Sequence, residues 1–350
     1  MIVTGQSKEI LKQARELISD PRNDPKILKS SILALESYQN NKHNSISLRT
    51  DAEQELYTKY IMAFNLFDFE VNDFIKGVYC LIRSNFLISE NIIRKLSKHI
   101  RINQRFIADD SWFMLLNILT CYKQDFDFLT VSQIFIKLQS INPPSSDWCV
   151  QALFDLCCVG QYSISIWRRL LSFDIVKDAK YLDKLRVIKY SAMAEGMATL
   201  DNVIFIGIDL MLEDCIKLAS EQKNLSKKMD LGMLALNKMQ REVDFVLKKL
   251  VKYDLNVNID NVYVVDFYNR EENFGFDLSG ALHYFTHDVT ERQEALDDSC
   301  LVPALRMKSL LLKKQGYRVG RISFYEWNRY VDQNEKLIFL KRKLRLLKRL

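Results

Sequence analysis

The sequence predicts a long α-helical array followed by a small α/β domain at the C-terminal end. Glycine and proline are scarce, with 10 and 5 among 350 residues, which favours long helices over many short strands. Apolar residues recur at three- and four-residue spacing from about residue 5 to 250, and the pattern then changes to short strand-like runs. We therefore predict a helical array over residues 1–253 and an α/β domain over residues 254–350.

Three segments of the helical part resemble one another. They span residues 74–100, 112–141 and 149–175. Each combines a helix that ends at a cysteine, a short polar link and a second helix, and Cys80, Cys121 and Cys157 are 41 and 36 residues apart. A period of this length with two helices per unit is typical of an α-solenoid. The alternative is an irregular helical domain whose similar segments arose by chance.

Local signals predict some helix ends in this array. Ser89 precedes a run of apolar positions and is a suitable N-cap. Two adjacent prolines lie in the segment 141–148, where they predict a loop between repeats. A last helix is expected to close the array and to end near Tyr253.

The C-terminal part predicts two strands, a helix, a third strand and a final helix. The apolar runs Val262–Phe267 and Phe274–Leu278 are expected to form a hairpin. The helix that follows has Pro303 near its start and Gly316 at its C-terminal cap. The segment 317–324 then predicts a strand.

Positive charge is concentrated in the last seventh of the chain. Residues 301–350 carry 14 Lys/Arg against 3 Asp/Glu, whereas residues 1–300 carry 36 against 41. Such a concentration indicates a polyanionic partner, either nucleic acid or an acidic membrane surface. The alternative is a solvated helix face. No apolar run approaches the 18 residues of a membrane span.

The seven cysteines contain no CxxC pair, so they predict reduced, buried thiols and no cysteine metal site. His283 and His287 have the four-residue spacing of a helical metal pair. Gly280 and the neighbouring aromatic residues favour a turn instead, so we predict no zinc site. The N-terminus has no signal-peptide core, and its acidic residues are atypical of a transit peptide.

Four pieces of the last 90 residues resemble, in order, the RAP domain, an RNA-binding domain abundant in apicomplexans. They are "VYVVDF", "FGFDLSGALHYF", "ALRMKSLLLKKQGYRVGRISFYEW" and "EKLIFLKRKL". The third piece is the most specific, and the match covers the C-terminal quarter of the chain. Proteins of this family often carry degenerate helical-pair repeats upstream, similar to heptatricopeptide repeats, which the helical array here resembles.

The resemblance implies a restriction-endonuclease-like core, in which acidic residues and a lysine hold a divalent metal. Asp266 and Asp277 match the first two acidic positions, but Ser279 replaces the next Asp, and no lysine follows two residues after Asp277. A carboxylate pair alone is a poor site for a hard metal. We therefore expect no metal, no cofactor and no nuclease activity; a metal-dependent endoribonuclease is the alternative.

RNA binding requires cations near aromatic side chains. The predicted RNA-binding residues come from the turn, the helix end, the third strand and the tail: His283, Lys308, Lys313, Lys314, Tyr317, Arg318, Arg321, Lys341, Arg342 and Arg345. Alternation along a strand places Arg318 and Arg321 on opposite faces. His283 has two interpretations, stacking on a base or holding its turn, and we favour the second.

The tail, residues 336–350, has seven basic and no acidic residues, with leucines along one face. It is expected to dock on its own domain and expose its cations; an interfacial membrane helix and a protein-binding helix are the alternatives. The chain is thus predicted to be a non-enzymatic RNA-binding protein. The resemblance to RAP domain proteins implies a mitochondrial location. It also implies ribosomal RNA, and ribosomal or other organellar proteins, as partners. A helical scaffold that binds only proteins remains an alternative.

Overall fold

The structure is a computed structural model, and it describes most of the chain beyond residue 69. The described residues are 70–83, 88–173, 178–197, 201–225, 238–280, 283–284 and 301–349. They belong to two compact units, which divide between Pro144 and Ser145. Among them no helix is long and apolar enough to cross a membrane, and the six described cysteines are free thiols.

The first unit consists of helices stacked in pairs. They are α1 (Val71–Arg83), α2 (Glu90–Asn103) with a 3₁₀ turn at Gln104–Phe106, α3 (Asp109–Tyr122) and α4 (Phe128–Leu138). Within each pair α1 contacts α2 and α3 contacts α4; between pairs α1 contacts α3 and α2 contacts α4. Buried residues of α1 and α3, among them Phe74 and Trp112, form the core. Ser89 is the N-cap residue of α2, as predicted.

The second unit begins with helices in the same arrangement. They are α5 (Ser146–Val159), α6 (Ile164–Leu171), a 3₁₀ turn at Ala179–Tyr181, α7 (Leu182–Ala194), α8 (Asn202–Leu225) and α9 (Lys238–Leu247). Again α5 contacts α6, α7 contacts α8, α5 contacts α7 and α6 contacts α8. The first helices of successive pairs begin 38, 37 and 36 residues apart. This spacing and these contacts are consistent with helical-pair repeats.

A four-stranded mixed sheet follows the helices. Its elements are β1 (Asp254–Ile259), β2 (Tyr263–Asn269), β3 (Phe274–Ser279), α10 (Pro303–Lys314), β4 (Arg318–Ser323), α11 (Phe324–Asn328) and α12 (Gln333–Arg349). The strand order is β1-β2-β3-β4, antiparallel except for the parallel pair β3–β4. Pro303 lies in the first turn of α10, and Gly316 follows the helix with φ +84°, as predicted. The chain is thus a helical region followed by a small α/β domain.

The predicted element order was wrong in two respects: β1 was missed, and the single final helix is divided into α11 and α12. β1 forms a hairpin with β2 across a turn in which Asp260 and Asn261 both have positive φ, and the Val262 N–H donates to the Ile259 carbonyl at 3.0 Å. Asp and Asn are suited to such turns because their side chains tolerate this conformation. The last helix before the sheet also ends earlier than predicted, at Leu247.

Helices α10 and α12 cover opposite faces of the sheet. A Cβ at Gly320 would lie 3.0 Å from the Leu347 side chain of α12, whereas the next residue, Arg321, donates to Ser309 Oγ of α10. Successive strand residues point to opposite faces, so the two helices lie on either side of β4. The α12 side holds the main core of this unit, which includes Phe276, Ile322 and Trp327.

The change from helices to strands occurs at Asp254, next to the predicted domain boundary. The sheet nevertheless forms one compact unit with the helices from α5 onward. Tyr190 of α7 donates to Asp260 Oδ2 at 3.1 Å, and Lys314 of α10 pairs with Glu195 after α7. These contacts hold α7 against the α/β domain.

Candidate nucleic-acid interface

The solvent-facing side of α12 carries three exposed cations. They are Lys341, Arg342 and Arg345, and together they are called here the α12 ridge. None of them has an ion-pair partner among the described residues. The opposite side of the helix buries Leu340, Leu344 and Leu347 against the sheet, as the tail pattern predicts. Docking of the leucines therefore leaves the ridge in solvent.

The other lysines of α12 make ion pairs within the domain. Lys336 Nζ lies 2.8 Å from Glu242 Oε2. Lys343 Nζ lies 2.9 Å from Glu326 Oε1, and Lys348 Nζ lies 2.7 Å from Glu272 Oε2. These lysines are part-exposed to exposed, so each pair adds little stability by itself. They do reduce the cations available to a ligand, and the candidate surface is smaller than the charge count indicates.

Glu242 of α9 connects the array to the domain and was missed by the sequence analysis. It accepts a hydrogen bond from Trp327 Nε1 at 3.0 Å as well as the Lys336 contact. The Lys336 and Trp327 hydrogen bonds lower the pKa of Glu242. Trp327 is fully buried, as expected, so this bond satisfies its only polar atom. No local pattern could reveal a partner 85 residues away in the chain.

Of the predicted RNA-binding residues at the end of α10 and on β4, some are exposed and others are bonded within the protein. Lys313 is exposed at the end of α10, whereas Lys314 is held by Glu195. Tyr317 donates to Asp260 Oδ2 at 3.3 Å. Arg318 Nε donates to the Asn273 carbonyl at 3.3 Å and lies on the α12 side of the sheet. Arg321 contacts α10 on the other side, as the predicted alternation requires.

The predicted cations therefore do not share one face. The lysines of α10 and the α12 ridge lie on helices that cover opposite faces of β4. Arg318 is the strand residue on the ridge side, but its guanidinium is bonded to carbonyl oxygens of the β2–β3 loop. The α12 ridge is the largest group of exposed cations on the described part of the α/β domain that lies on one helix.

His283 has the structural role that the sequence analysis favoured. Its ring Nδ1 accepts a hydrogen bond from the Gly280 N–H at 3.1 Å, and the backbone N–H of His283 donates to the Gly280 carbonyl at 3.0 Å. Burial lowers the pKa of His283 below its usual 6.5, although nearby Asp277 opposes the shift. The neutral ring is the form that can accept at Nδ1. His287 lies outside the described residues.

Asp266 and Asp277 meet on the α10 side of the sheet, together with Lys308. Lys308 Nζ lies 2.8 Å from both Asp277 oxygens and donates to the Val264 carbonyl at 2.7 Å. The Lys308 and Asp277 side chains are each only 12% exposed. Lys308 was predicted to contact phosphate, but the structure places its ammonium in this ion pair. The sequence has no lysine two residues after Asp277. The lysine beside this carboxylate is Lys308 of α10, which lies 31 residues further along the chain.

The Asp266 carboxylate is held from two other directions. Its Oδ2 accepts from the Leu278 N–H at 2.7 Å, and its Oδ1 accepts from Gln240 Nε2 of α9 at 3.2 Å. Burial raises the pKa of Asp266 from 3.8 to about 6; the Leu278 hydrogen bond opposes this shift, and the nearby Asp277 charge adds to it. Asp266 thus titrates closer to neutral pH than an exposed carboxylate.

These residues do not fit a divalent cation well. Both Asp277 oxygens are bonded to Lys308, and Ser279 provides a hydroxyl where a third carboxylate is needed. The part of the chain that the structure describes contains no group of three or more His, Cys, Asp or Glu side chains that could hold a metal. The arrangement is an internal polar cluster that joins β2, β3, α9 and α10.

Replacing Asp266 with Asn should change how stability depends on pH. An acid with a higher pKa in the folded state binds its proton more tightly there, so Asp266 makes the folded state more stable as the pH falls from about 6 toward 4. This contribution is lost as the pH rises through 6. Relative to Asp266→Asn, the native protein should gain about 2 kcal/mol between pH 7 and pH 4, measured by urea unfolding at both pH values.

The matched control for this measurement is Asp254→Asn, which removes an exposed carboxylate from the neighbouring strand. It should follow the pH dependence of the native protein. If Asp266→Asn and the native protein show the same change in unfolding free energy, Asp266 does not carry the raised pKa.

Comparison with protein families gives a single match on the α/β domain. Residues 280–343 match the model of the RAP domain. The matched region runs from the end of β3 into α12, so it includes α10, β4, α11 and two residues of the ridge. No curated protein matches the chain. The part of the chain at residues 280–343 therefore carries a RAP domain.

Proposed function

We propose that this protein binds RNA, without cleaving it, through the side of the RAP domain that carries the α12 ridge. A RAP domain indicates RNA binding. The observation that carries the proposal is the orientation of α12, which buries its leucines on the sheet and directs Lys341, Arg342 and Arg345 to solvent. Exposed cations on a rigid helix neutralise phosphates and release counter-ions.

The ridge has the properties of a phosphate-binding surface. Its exposed neighbours on α12 are the aliphatic residues Ile338 and Leu346. Aromatic side chains of the same region, Trp327 and Phe339, lie in the core. Contacts from Lys and Arg to phosphate oxygens hold RNA without reading its sequence. We infer that the RAP domain binds RNA by charge and shape.

Non-enzymatic function is supported by the polar cluster beneath α10. Because Lys308 bonds both oxygens of Asp277, these oxygens are not available to a metal. Purified protein incubated with labelled RNA and Mg²⁺ or Mn²⁺ should leave the RNA at full length. Cleavage that disappears in Asp266→Ala would show instead that the protein is a metal-dependent endoribonuclease.

Changing the three residues of the α12 ridge to Gln should weaken RNA binding and reduce its salt dependence. Each phosphate contact to single-stranded RNA contributes about 0.7 to the slope of log affinity against log salt, so the slope should fall by about 2. Fluorescence anisotropy of labelled RNA at several KCl concentrations measures both quantities. The control changes three exposed lysines of the second unit to Gln: Lys217, Lys238 and Lys252.

The control variant removes the same charge and should keep the native slope. Equal losses in both variants would mean that overall charge, and not the ridge, determines binding. Affinity that does not change with KCl in the native protein would exclude phosphate contacts as its basis.

We also propose that the RNA is organellar, and that it is mitochondrial ribosomal RNA in particular. The support is the resemblance to proteins that act in organelles on ribosomal RNA processing, stability or ribosome assembly. Crosslinking in cells, followed by sequencing of the RNA bound to the protein, tests this. Enrichment of mitochondrial ribosomal RNA is expected, and enrichment of nuclear-encoded transcripts would contradict the proposal.

A further inference from the structure

We propose that the first compact unit carries a separate binding surface for single-stranded RNA, formed by α2 and by the beginning of α4. This inference rests on the proposed function only in taking RNA as the ligand. It concerns a surface outside the RAP domain, with a different chemistry. Its evidence is a row of cations that lies between two exposed aromatic rings.

Four cations form a row along α2 and its 3₁₀ extension. They are Arg94, Lys98, Arg101 and Arg105, and they are called here the α2 stripe. Their spacings of four, three and four residues place them on one side of a helix with 3.6 residues per turn. All four are exposed. The stripe extends about 16 Å along the helix axis, which suits an extended polyanion.

The stripe keeps an excess of positive charge. Arg94 pairs with Glu90 on the preceding turn, and Arg101 Nε lies 3.6 Å from Asp127 Oδ2. Lys98 and Arg105 have no ion-pair partner among the described residues. Residues 90–106 contain five Lys/Arg and one Glu, and the carboxylates of Asp125 and Asp127 interact with Arg94 and Arg101 from outside this segment. The exposed pairs are weak, so a polyanion can compete for both arginines.

Two phenylalanine rings lie beside the stripe. Phe128 and Phe106 are 80% and 74% exposed, the highest values among the aromatic side chains of the described residues. Phe106 follows the stripe residue Arg105 in the 3₁₀ turn and lies about 120° further around its axis. Phe128 begins α4 on the other side of the stripe, next to Asp127, which contacts Arg101.

Hydrogen bonds connect the segment next to each ring to a neighbouring helix. Asn72 of α1 donates to the Phe106 carbonyl and accepts from the Ala108 N–H, both at 2.9 Å. Asp127 accepts from the Thr130 N–H and from the Ser97 hydroxyl of α2. The rings are therefore presented in solvent from fixed positions. A ligand that stacks on them does not have to order the backbone first.

Cations between exposed aromatic rings indicate a single-stranded nucleic acid. Bases of a single strand can stack on aromatic rings while the phosphates lie along the cations, whereas the bases of a duplex are already stacked. The α12 ridge has aliphatic neighbours and lacks this combination. The two surfaces would thus bind different features of one RNA, its bases on the α2 stripe and its backbone on the α12 ridge.

The test uses the full chain and an unstructured RNA of about twelve nucleotides, alone and annealed to its complement. Phe106→Ala with Phe128→Ala should weaken binding of the single strand about tenfold or more, with little change for the duplex and in the salt slope. Lys98→Gln with Arg105→Gln should lower the slope by about 1.4. Phe245→Ala, which removes an exposed ring from α9, is the control and should bind as the native protein does.

Two results separate failure of this inference from failure of the proposed function. If the double Phe variant binds the single strand like the native protein while the α12 variant does not, RNA is bound by the RAP domain only and the inference fails. If the native protein binds neither RNA, the proposed function fails, and the α2 surface must serve another ligand. Photo-crosslinks from 4-thiouridine RNA should map to the peptides that contain Phe106 and Phe128; crosslinks confined to the RAP domain would also overturn the inference.

Discussion

The surface of the RAP domain depends on the docking of α12 onto the sheet. Burial of each leucine, Leu340, Leu344 and Leu347, contributes about 1.5–3 kcal/mol. Gly320 leaves room for Leu347, because a Cβ there would lie 3.0 Å from the Leu347 side chain. Three lysines of α12 then pair with glutamates of α9, α11 and the β2–β3 loop. Lys341, Arg342 and Arg345 are left facing solvent.

The sheet separates two groups of polar residues, one on its α10 side and one on its α12 side. On the α10 side, Asp266, Asp277 and Lys308 form a mostly buried cluster. Lys308 pairs with Asp277, and Asp266 accepts from the Leu278 N–H. On the α12 side, the ridge is exposed and its charges have no partner among the described residues. A buried, paired charge holds elements together at a cost in desolvation, whereas an exposed one remains available to a ligand. The position of a charge relative to the sheet therefore decides its role.

The exposed cations of the two units have different neighbours. The α2 stripe combines cations with Phe106, whose carbonyl accepts from Asn72 of α1, and with Phe128, which follows the Asp127 that accepts from Ser97 of α2. The α12 ridge has cations and aliphatic neighbours. Stacking is insensitive to salt and requires open bases, while phosphate contacts depend strongly on salt. Measurements at several salt concentrations can therefore distinguish a loss of stacking from a loss of phosphate contacts.

The sequence by itself determined the features that depend on neighbours in the chain: the helical pairs, the helix from Pro303 to Gly316, strand β4 and the leucine face of α12. Such features follow from periodicity and backbone preference within a few turns. β1 was not predicted, because the turn that joins it to β2 is formed by Asp260 and Asn261 and contains no glycine to mark a hairpin. Only the tertiary structure decided that Lys308 pairs with Asp277, that Glu242 binds Trp327, and that α10 and α12 lie on opposite faces. Those outcomes depend on which distant segments pack together, and no local window of sequence contains that information.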